Sequence, residues 1–238
     1  MSANHAAFNL IFRFVENYIS PIAGRISSQR HVMAIRDGFI SAMPFMIVGS
    51  FLLVFAYPPF SPDTTWGFAR AWLDLAKEFE GRILTPFDMT MGIMSIYICA
   101  AISYNLGKHY EKSNQLDPFM CAMLSIMAFL LIAAPKTNGT LPVDSLGGTG
   151  IFTAILVAIY CVEMMRFLKA HNIGIRLPDQ VPPMIKNSFD LLIPVLVVVL
   201  TLYPLSLFIQ HHFDMLIPQA IMAIFKPLVS AADSLPAI

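Results

Sequence analysis

The chain has 238 residues, of which 57% are hydrophobic and 13% are charged, about half the charged fraction of an ordinary soluble domain. Its 15 lysines and arginines equal its 15 aspartates and glutamates in number, so there is no positive excess to bind a phosphate backbone and a nucleic-acid partner is not expected. The mean hydropathy of +0.67 excludes a simple soluble domain and indicates an integral membrane protein that contacts lipid.

Residues 1–37 are predicted to form a cytoplasmic amphipathic helix followed by a basic entry to the membrane. Between residues 8 and 22, apolar side chains share one helical face and polar side chains share the other. This pattern is typical of a helix that lies on a membrane surface. The segment lacks the small-residue cleavage site of a signal peptide, so we expect it to be retained.

Five stretches free of Asp, Glu, Lys and Arg are long enough, or nearly so, to cross about 30 Å of hydrocarbon as helices. They are residues 38–57, 89–107, 118–135, 147–162 and 191–210. The sequence therefore predicts an all-α integral membrane fold with a five-helix membrane domain at 38–210. Interfacial amphipathic helices are expected outside these spans, including residues 211–238 after the fifth.

Positive charge predicts the orientation of these spans. Of the lysines and arginines, 10 lie on the side of the N-terminus and 5 on the other side, and cytoplasmic loops are enriched in these residues. The N-terminus is therefore predicted to be cytoplasmic. The predicted external loop carries Trp66 and Trp72 in an amphipathic segment, which suits an interfacial aromatic belt.

Motifs for catalysis and metal binding are missing from the sequence. It has no phosphate-binding loop, no zinc-protease helix and no nucleophile elbow. Cys99, Cys121 and Cys161 lie in apolar stretches without zinc-site spacing, and we interpret them as small buried residues. No catalytic residue, cofactor or metal site is expected.

The first candidates for substrate binding are Gly148, Thr149 and Gly150, which with Gly147 open the fourth predicted span. The free amides at a helix N-terminus can bind a polar ligand there. Alternatively, the glycines only end a loop. In the second span, small residues at helical spacing favour close helix packing over a substrate-lining face. These residues are Gly92, Ser95, Cys99 and Ser103.

Asp179 is the second candidate. It lies in the polar, proline-containing loop 169–190 before the fifth span. We interpret it as a solvated turn residue, as a cap of the following short helix, or as a contact near the cytoplasmic face.

Four strings occur together in an order that resembles the membrane-embedded IIC component of sugar phosphotransferase systems, in the lactose/cellobiose/chitobiose class. They are RHV, AIRDGFI and MP at 30–32, 34–40 and 43–44; TMGIMS at 90–95; LGG at 146–148; and LPD, VP and SF at 177–179, 181–182 and 188–189. The resemblance begins at about residue 19 and covers only the first half of the family. The sugar-binding histidine and glutamate of the family belong to Gly-Ile-His-Gly and Asn-Glu-Pro motifs, which have no counterpart here.

The resemblance implies a role in the uptake of a β-linked disaccharide such as cellobiose or chitobiose across the bacterial cytoplasmic (inner) membrane. In that family the sugar is phosphorylated by a IIB subunit, which is supplied by IIA, and the first five spans form a scaffold through which two subunits pair. The chain would thus be the N-terminal half of a homodimeric, multi-pass permease. The alternative is a non-transporting scaffold or regulator that dimerises through the five helices.

The sequence after Gln210 returns to an apolar pattern and ends at Ile238 without a helix-stop signal. In the family this region leads to a sixth span. We therefore expect a fragment, a disrupted gene or one half of a split protein, and the sequence does not choose among them.

Overall fold

The computed structural model describes residues 16, 20–135, 139–175, 178, 180 and 182–234. Within these ranges the regular structure is helical, as predicted, and contains no strand. The helices are α1 Ser20–Ser27, α2 Arg30–Ala56, α3 Gly67–Asp88, α4 Met94–Asn114, α5 Pro118–Ala133, α6 Ile151–Ala170, α7 Pro183–Asp190, α8 Leu192–Phe213 and α9 Ile217–Ser234, with a 3₁₀ turn at Gly148–Gly150. Most of the predicted amphipathic segment 8–22 lies outside the described residues.

Three helical segments of the described chain are long and apolar enough to cross a membrane: α2, the 3₁₀ turn with α6, and α8. α5 is apolar but shorter. Its start is fixed by Asp117, whose Oδ1 accepts hydrogen bonds from the amides of Phe119 at 2.8 Å and Met120 at 3.3 Å, an N-cap that satisfies two otherwise unpaired donors.

Two helices differ in their bounds from the apolar stretches that predict them, because charged residues do not by themselves end a helix. α2 begins at Arg30, before the predicted start at residue 38. The second predicted span, 89–107, corresponds to α4, which begins at Met94 and continues to Asn114. α4 ends where Gln115 takes a left-handed conformation with φ of 53°, a common way to end a helix.

α4 is the central helix and packs against α2, α5 and α6. Its buried stripe of Ser95, Cys99 and Ser103 supports the packing interpretation of the small residues. A Cβ atom added at Gly38 of α2 would collide with Ile102 of α4. Glycine is therefore required for this close approach of two helices.

Two amphipathic helices, α3 and α9, pack against the bundle at the end where α2 ends. The indole nitrogen of Trp72 in α3 donates a hydrogen bond to the Phe55 carbonyl at 3.2 Å. α9 packs against α6 through stacked rings of Phe152 and Phe225, with centroids 4.3 Å apart. The amphipathic segment is helical from Gly67 onward, so Trp72 lies in α3 and Trp66 directly precedes it.

Candidate functional site

The glycine-rich turn before α6 is fixed to the start of α4 by hydrogen bonds. The Ser95 amide donates to the Leu146 carbonyl at 2.9 Å, and the Ser95 hydroxyl donates to the Gly147 carbonyl. The Thr149 hydroxyl donates to the Asp144 carbonyl at 2.8 Å. The turn is therefore held rigidly at the end of the bundle where α6 begins.

The three candidate residues of this turn differ in their surroundings. Gly148 and Thr149 are exposed, whereas Gly150 is buried. A Cβ atom at Gly150 would collide with the Ser145 carbonyl and lie 3.1 Å from the ring of Phe129. Packing alone therefore requires glycine at position 150, and only Gly148 and Thr149 present a surface to a ligand. The predicted substrate role of all three remains a prediction.

At the opposite end of the bundle, the ends of α4 and α6 and the start of α8 line an open pocket of about 370 Å³. The Lys169 ammonium in its wall donates to the Gln115 carbonyl at 2.7 Å and lies 3.3 Å from an oxygen of Asp190. Lys169 thus links the C-terminal ends of α4 and α6 to α7. Asp179, the other candidate, lies outside the described residues.

A carboxylate that the sequence interpretation missed is the centre of a polar cluster at this same end. Glu163 Oε1 accepts hydrogen bonds from the Tyr110 hydroxyl at 2.7 Å and from His31 Nε2 at 2.9 Å. Its Oε2 accepts from Arg166 Nε at 2.8 Å. The Glu163 side chain is only 26% exposed, so these hydrogen bonds are partly shielded from water. Because the partners lie on α2, α4 and α6, the cluster links these three helices.

Both ring nitrogens of His31 have hydrogen-bond partners. Nδ1 lies 2.9 Å from Nε2 of Gln29, whose Oε1 accepts from the Val32 amide at 3.3 Å. Nε2 donates to the Glu163 carboxylate at 2.9 Å, since an ionised carboxylate only accepts. His31 therefore links the start of α2 to α6.

Sequence patterns near Glu163 did not reveal the cluster because two of its partners, Tyr110 and His31, are far away in the chain. Glu163 directly follows the fourth predicted span, and His31 is separated from it by 132 positions. The RHV string at 30–32, quoted above for the family resemblance, contains His31 and was the sequence feature that included a member of the cluster. No group of three or more metal-ligating side chains occurs among the residues that the structure describes. The cluster pairs charges and joins helices, and contains no nucleophile–base pair.

Comparisons with known proteins agree on one family. A family model described as "Phosphotransferase system, EIIC" matches residues 36–237. The cellobiose-specific EIIC component of Geobacillus stearothermophilus is 35% identical over 206 residues, covering 79% of this chain and 43% of that protein. The lactose-specific EIICB component of Streptococcus mutans is 33% identical over 219 residues, covering 90% and 37% respectively.

A solved structure has the same fold. The transporter ChbC, the IIC component of the N,N'-diacetylchitobiose-specific phosphotransferase system, aligns with a TM-score of 0.76 and 31% sequence identity. The alignment covers 92% of this chain and 52% of that one. The chain thus spans about half the length, or less, of the proteins it resembles.

Proposed function

The chain belongs to the phosphotransferase-system EIIC family, in its lactose/cellobiose/chitobiose class, and on that premise we propose that it is the N-terminal half of a sugar permease. The observation that carries this proposal is the agreement of fold with ChbC over 92% of the chain. Sugar passage in such a protein needs the half that this chain does not contain. The proposed contribution of this chain is the scaffold on which that half is mounted.

The proposed topology has five spans, α2, α4, α5, α6 and α8. His31 at the start of α2 contacts Glu163 near the end of α6, whereas Ser95 near the start of α4 contacts the turn before α6. Consecutive spans therefore run in opposite directions. We place the N-terminus in the cytoplasm because the end of the bundle that contains Glu163 is rich in lysine and arginine.

The proposed substrate is a β-linked disaccharide, phosphorylated on the cytoplasmic side by a IIB subunit that receives phosphate from IIA. The specificities named for the relatives, cellobiose, lactose and N,N'-diacetylchitobiose, support this class. The name EIICB of the lactose-specific relatives supports a IIB partner. We further propose that two copies pair through the five-helix domain.

Within this function, Gly148 and Thr149 are the proposed contacts with sugar or with the sugar-binding half. Both are exposed on a turn whose backbone is fixed by Ser95, so their amides are preorganised for a polar ligand. Gly150 supports the turn from within. Asp179 is proposed to lie near the cytoplasmic phosphorylation partner; α7 begins at Pro183, so its N-cap position is residue 182 and not 179.

The test is complementation between two halves. The chain and the C-terminal half of the Geobacillus stearothermophilus relative are expressed, separately and together, in cells that supply IIA and IIB but have no other disaccharide permease. We expect accumulation of phosphorylated cellobiose or chitobiose only when both halves are present. A covalent fusion of the two halves serves as the positive control for folding.

One result would favour the alternative function. If the fusion transports sugar but the separate halves, both found in the membrane, do not, this chain does not assemble a permease with a separately expressed second half. A dimer of the chain alone would then support a non-transporting scaffold or regulator.

A further inference from the structure

We propose that the end of the bundle around Tyr110 carries a binding site for a phosphate-group anion, with Arg30 and Arg166 as its cationic groups. The shared chemistry fits the headgroup of an acidic phospholipid or a soluble phosphate. The proposal concerns a second ligand; it rests on the proposed orientation of the chain in the membrane but not on the sugar-transport function.

Both guanidinium groups lie against the ring of Tyr110. Arg166 Cζ lies 4.9 Å from the ring centroid and Arg30 Cζ lies 5.5 Å from it, both within cation–π distance. The separation between the Cζ atoms of Arg30 and Arg166 is therefore no greater than the sum of these two distances. The hydroxyl of Tyr110 is itself fixed by Glu163, so the ring is a preorganised support for both cations.

Charge in this cluster is not balanced. Glu163 is the acidic partner of Arg166, and both of its oxygens already accept hydrogen bonds. Arg30 makes no ion pair with any acidic side chain in the described ranges. Arg30 and Arg166 therefore bring two positive charges to the cluster against the one negative charge of Glu163, and an anion can neutralise the excess.

Exposed apolar side chains close in sequence to both arginines suit a lipid. Ile26, four positions before Arg30, is 58% exposed, and Phe167, which follows Arg166, is 56% exposed. Basic pockets between transmembrane helices on the cytoplasmic side are known to bind acidic headgroups. On the polar face of α3, by contrast, the basic residues are interspersed with acidic ones. These are Arg70, Lys77 and Arg82 with Asp74, Glu78, Glu80 and Asp88.

The test compares Arg30→Gln with the matched control Arg70→Gln, which removes the same charge from α3. Each protein is reconstituted in nanodiscs of phosphatidylcholine, with or without phosphatidylglycerol, and its Tm is measured. We expect phosphatidylglycerol to raise the Tm of the wild type and of Arg70→Gln, and to raise that of Arg30→Gln by less than half as much. Arg30→Lys should recover most of the shift because it restores the charge.

A second set of measurements identifies the source of the anion. Inorganic phosphate is added to the phosphatidylcholine nanodiscs and compared with chloride at equal ionic strength. A rise in Tm that Arg30→Gln loses would assign the site to a soluble phosphate compound, and a response to phosphatidylglycerol alone would assign it to lipid. If neither anion raises the Tm, or if Arg30→Gln and Arg70→Gln respond equally, the proposal is overturned.

Discussion

Tyr110 and Glu163 lie 53 positions apart in the chain, and the Tyr110 hydroxyl donates a 2.7 Å hydrogen bond to the Glu163 carboxylate. The bond joins α4 to α6, and the same carboxylate oxygen also accepts from His31 of α2. One acidic side chain thus connects three helices, α2, α4 and α6. Loss of any one of these partners would remove one of the hydrogen bonds that the carboxylate accepts.

We expect Tyr110→Phe to lower the free energy of unfolding by about 1–3 kcal/mol, the range for a hydrogen bond to a charged group. The measurement is denaturant unfolding in detergent micelles. Tyr104→Phe is the matched control because Tyr104 lies on the same helix, is 42% exposed, and donates no hydrogen bond to Glu163. Equal losses for the two variants would show that the bond to Glu163 has no special role in stability.

The glycine-rich turn gives a second prediction. Gly150→Ala should destabilise the protein by several kcal/mol or prevent folding, since the new Cβ meets the Ser145 carbonyl and the backbone cannot move away cheaply. Gly81→Ala, in α3, has open space around its Cβ and should stabilise the helix by up to about 1 kcal/mol. Thermal unfolding of both variants is the measurement. A stable Gly150→Ala protein would contradict this account of the turn.

The same turn can be tested for function without disturbing its packing. Gly148→Ala adds a Cβ that lies 3.4 Å from the Met94 methyl group, an ordinary contact, so the fold should be retained. In the fusion with a C-terminal half, Gly148→Ala and Thr149→Val should lower the uptake of disaccharide while leaving Tm nearly unchanged. Wild-type uptake by both variants would remove these residues from the proposed sugar-facing surface.

Much of the helical architecture could be predicted from the sequence because apolar runs and amphipathic faces are local patterns. α3 and α6 were predicted in this way. The Glu163 cluster could not be predicted, because it depends on how α2, α4 and α6 pack, and no local pattern encodes the meeting of His31 with Glu163. The requirement for glycine at Gly150 likewise comes from Phe129 and Ser145, which only the fold brings close.

The link between Lys169 and Asp190 predicts a local effect at the start of α8. Lys169→Met keeps the length of the side chain but removes its contacts with the Gln115 carbonyl and with Asp190. α7 packs mainly on α8, so we expect faster hydrogen exchange in α7, with global stability lowered by about 1–3 kcal/mol. Lys108→Met is the control, because Lys108 contacts the ring of Tyr104 far from α7. Unchanged exchange in α7 would show that Lys169 does not hold it.

The last prediction concerns alkaline pH. A hydrogen bond to Glu80, together with the negative charge of Glu80, raises the pKa of Tyr57 above its ordinary value of 10.0. A raised pKa means that the folded state holds the phenolic proton more tightly than the unfolded state does. The bond therefore stabilises the folded protein below about pH 10, and this contribution is lost as the pH rises through the folded-state pKa.

Ultraviolet titration measures this effect directly. The difference between wild type and Tyr57→Phe isolates the ionisation of one of the seven tyrosines. The same difference taken in a Glu80→Gln background should show a lower midpoint, because the neutral amide no longer opposes ionisation of the phenol. Glu78→Gln removes the same charge two positions away and is the control. An unchanged midpoint in Glu80→Gln would show that the Tyr57–Glu80 bond does not form in solution, and the packing of α3 on the end of α2 would then depend on Trp72 and its neighbouring rings.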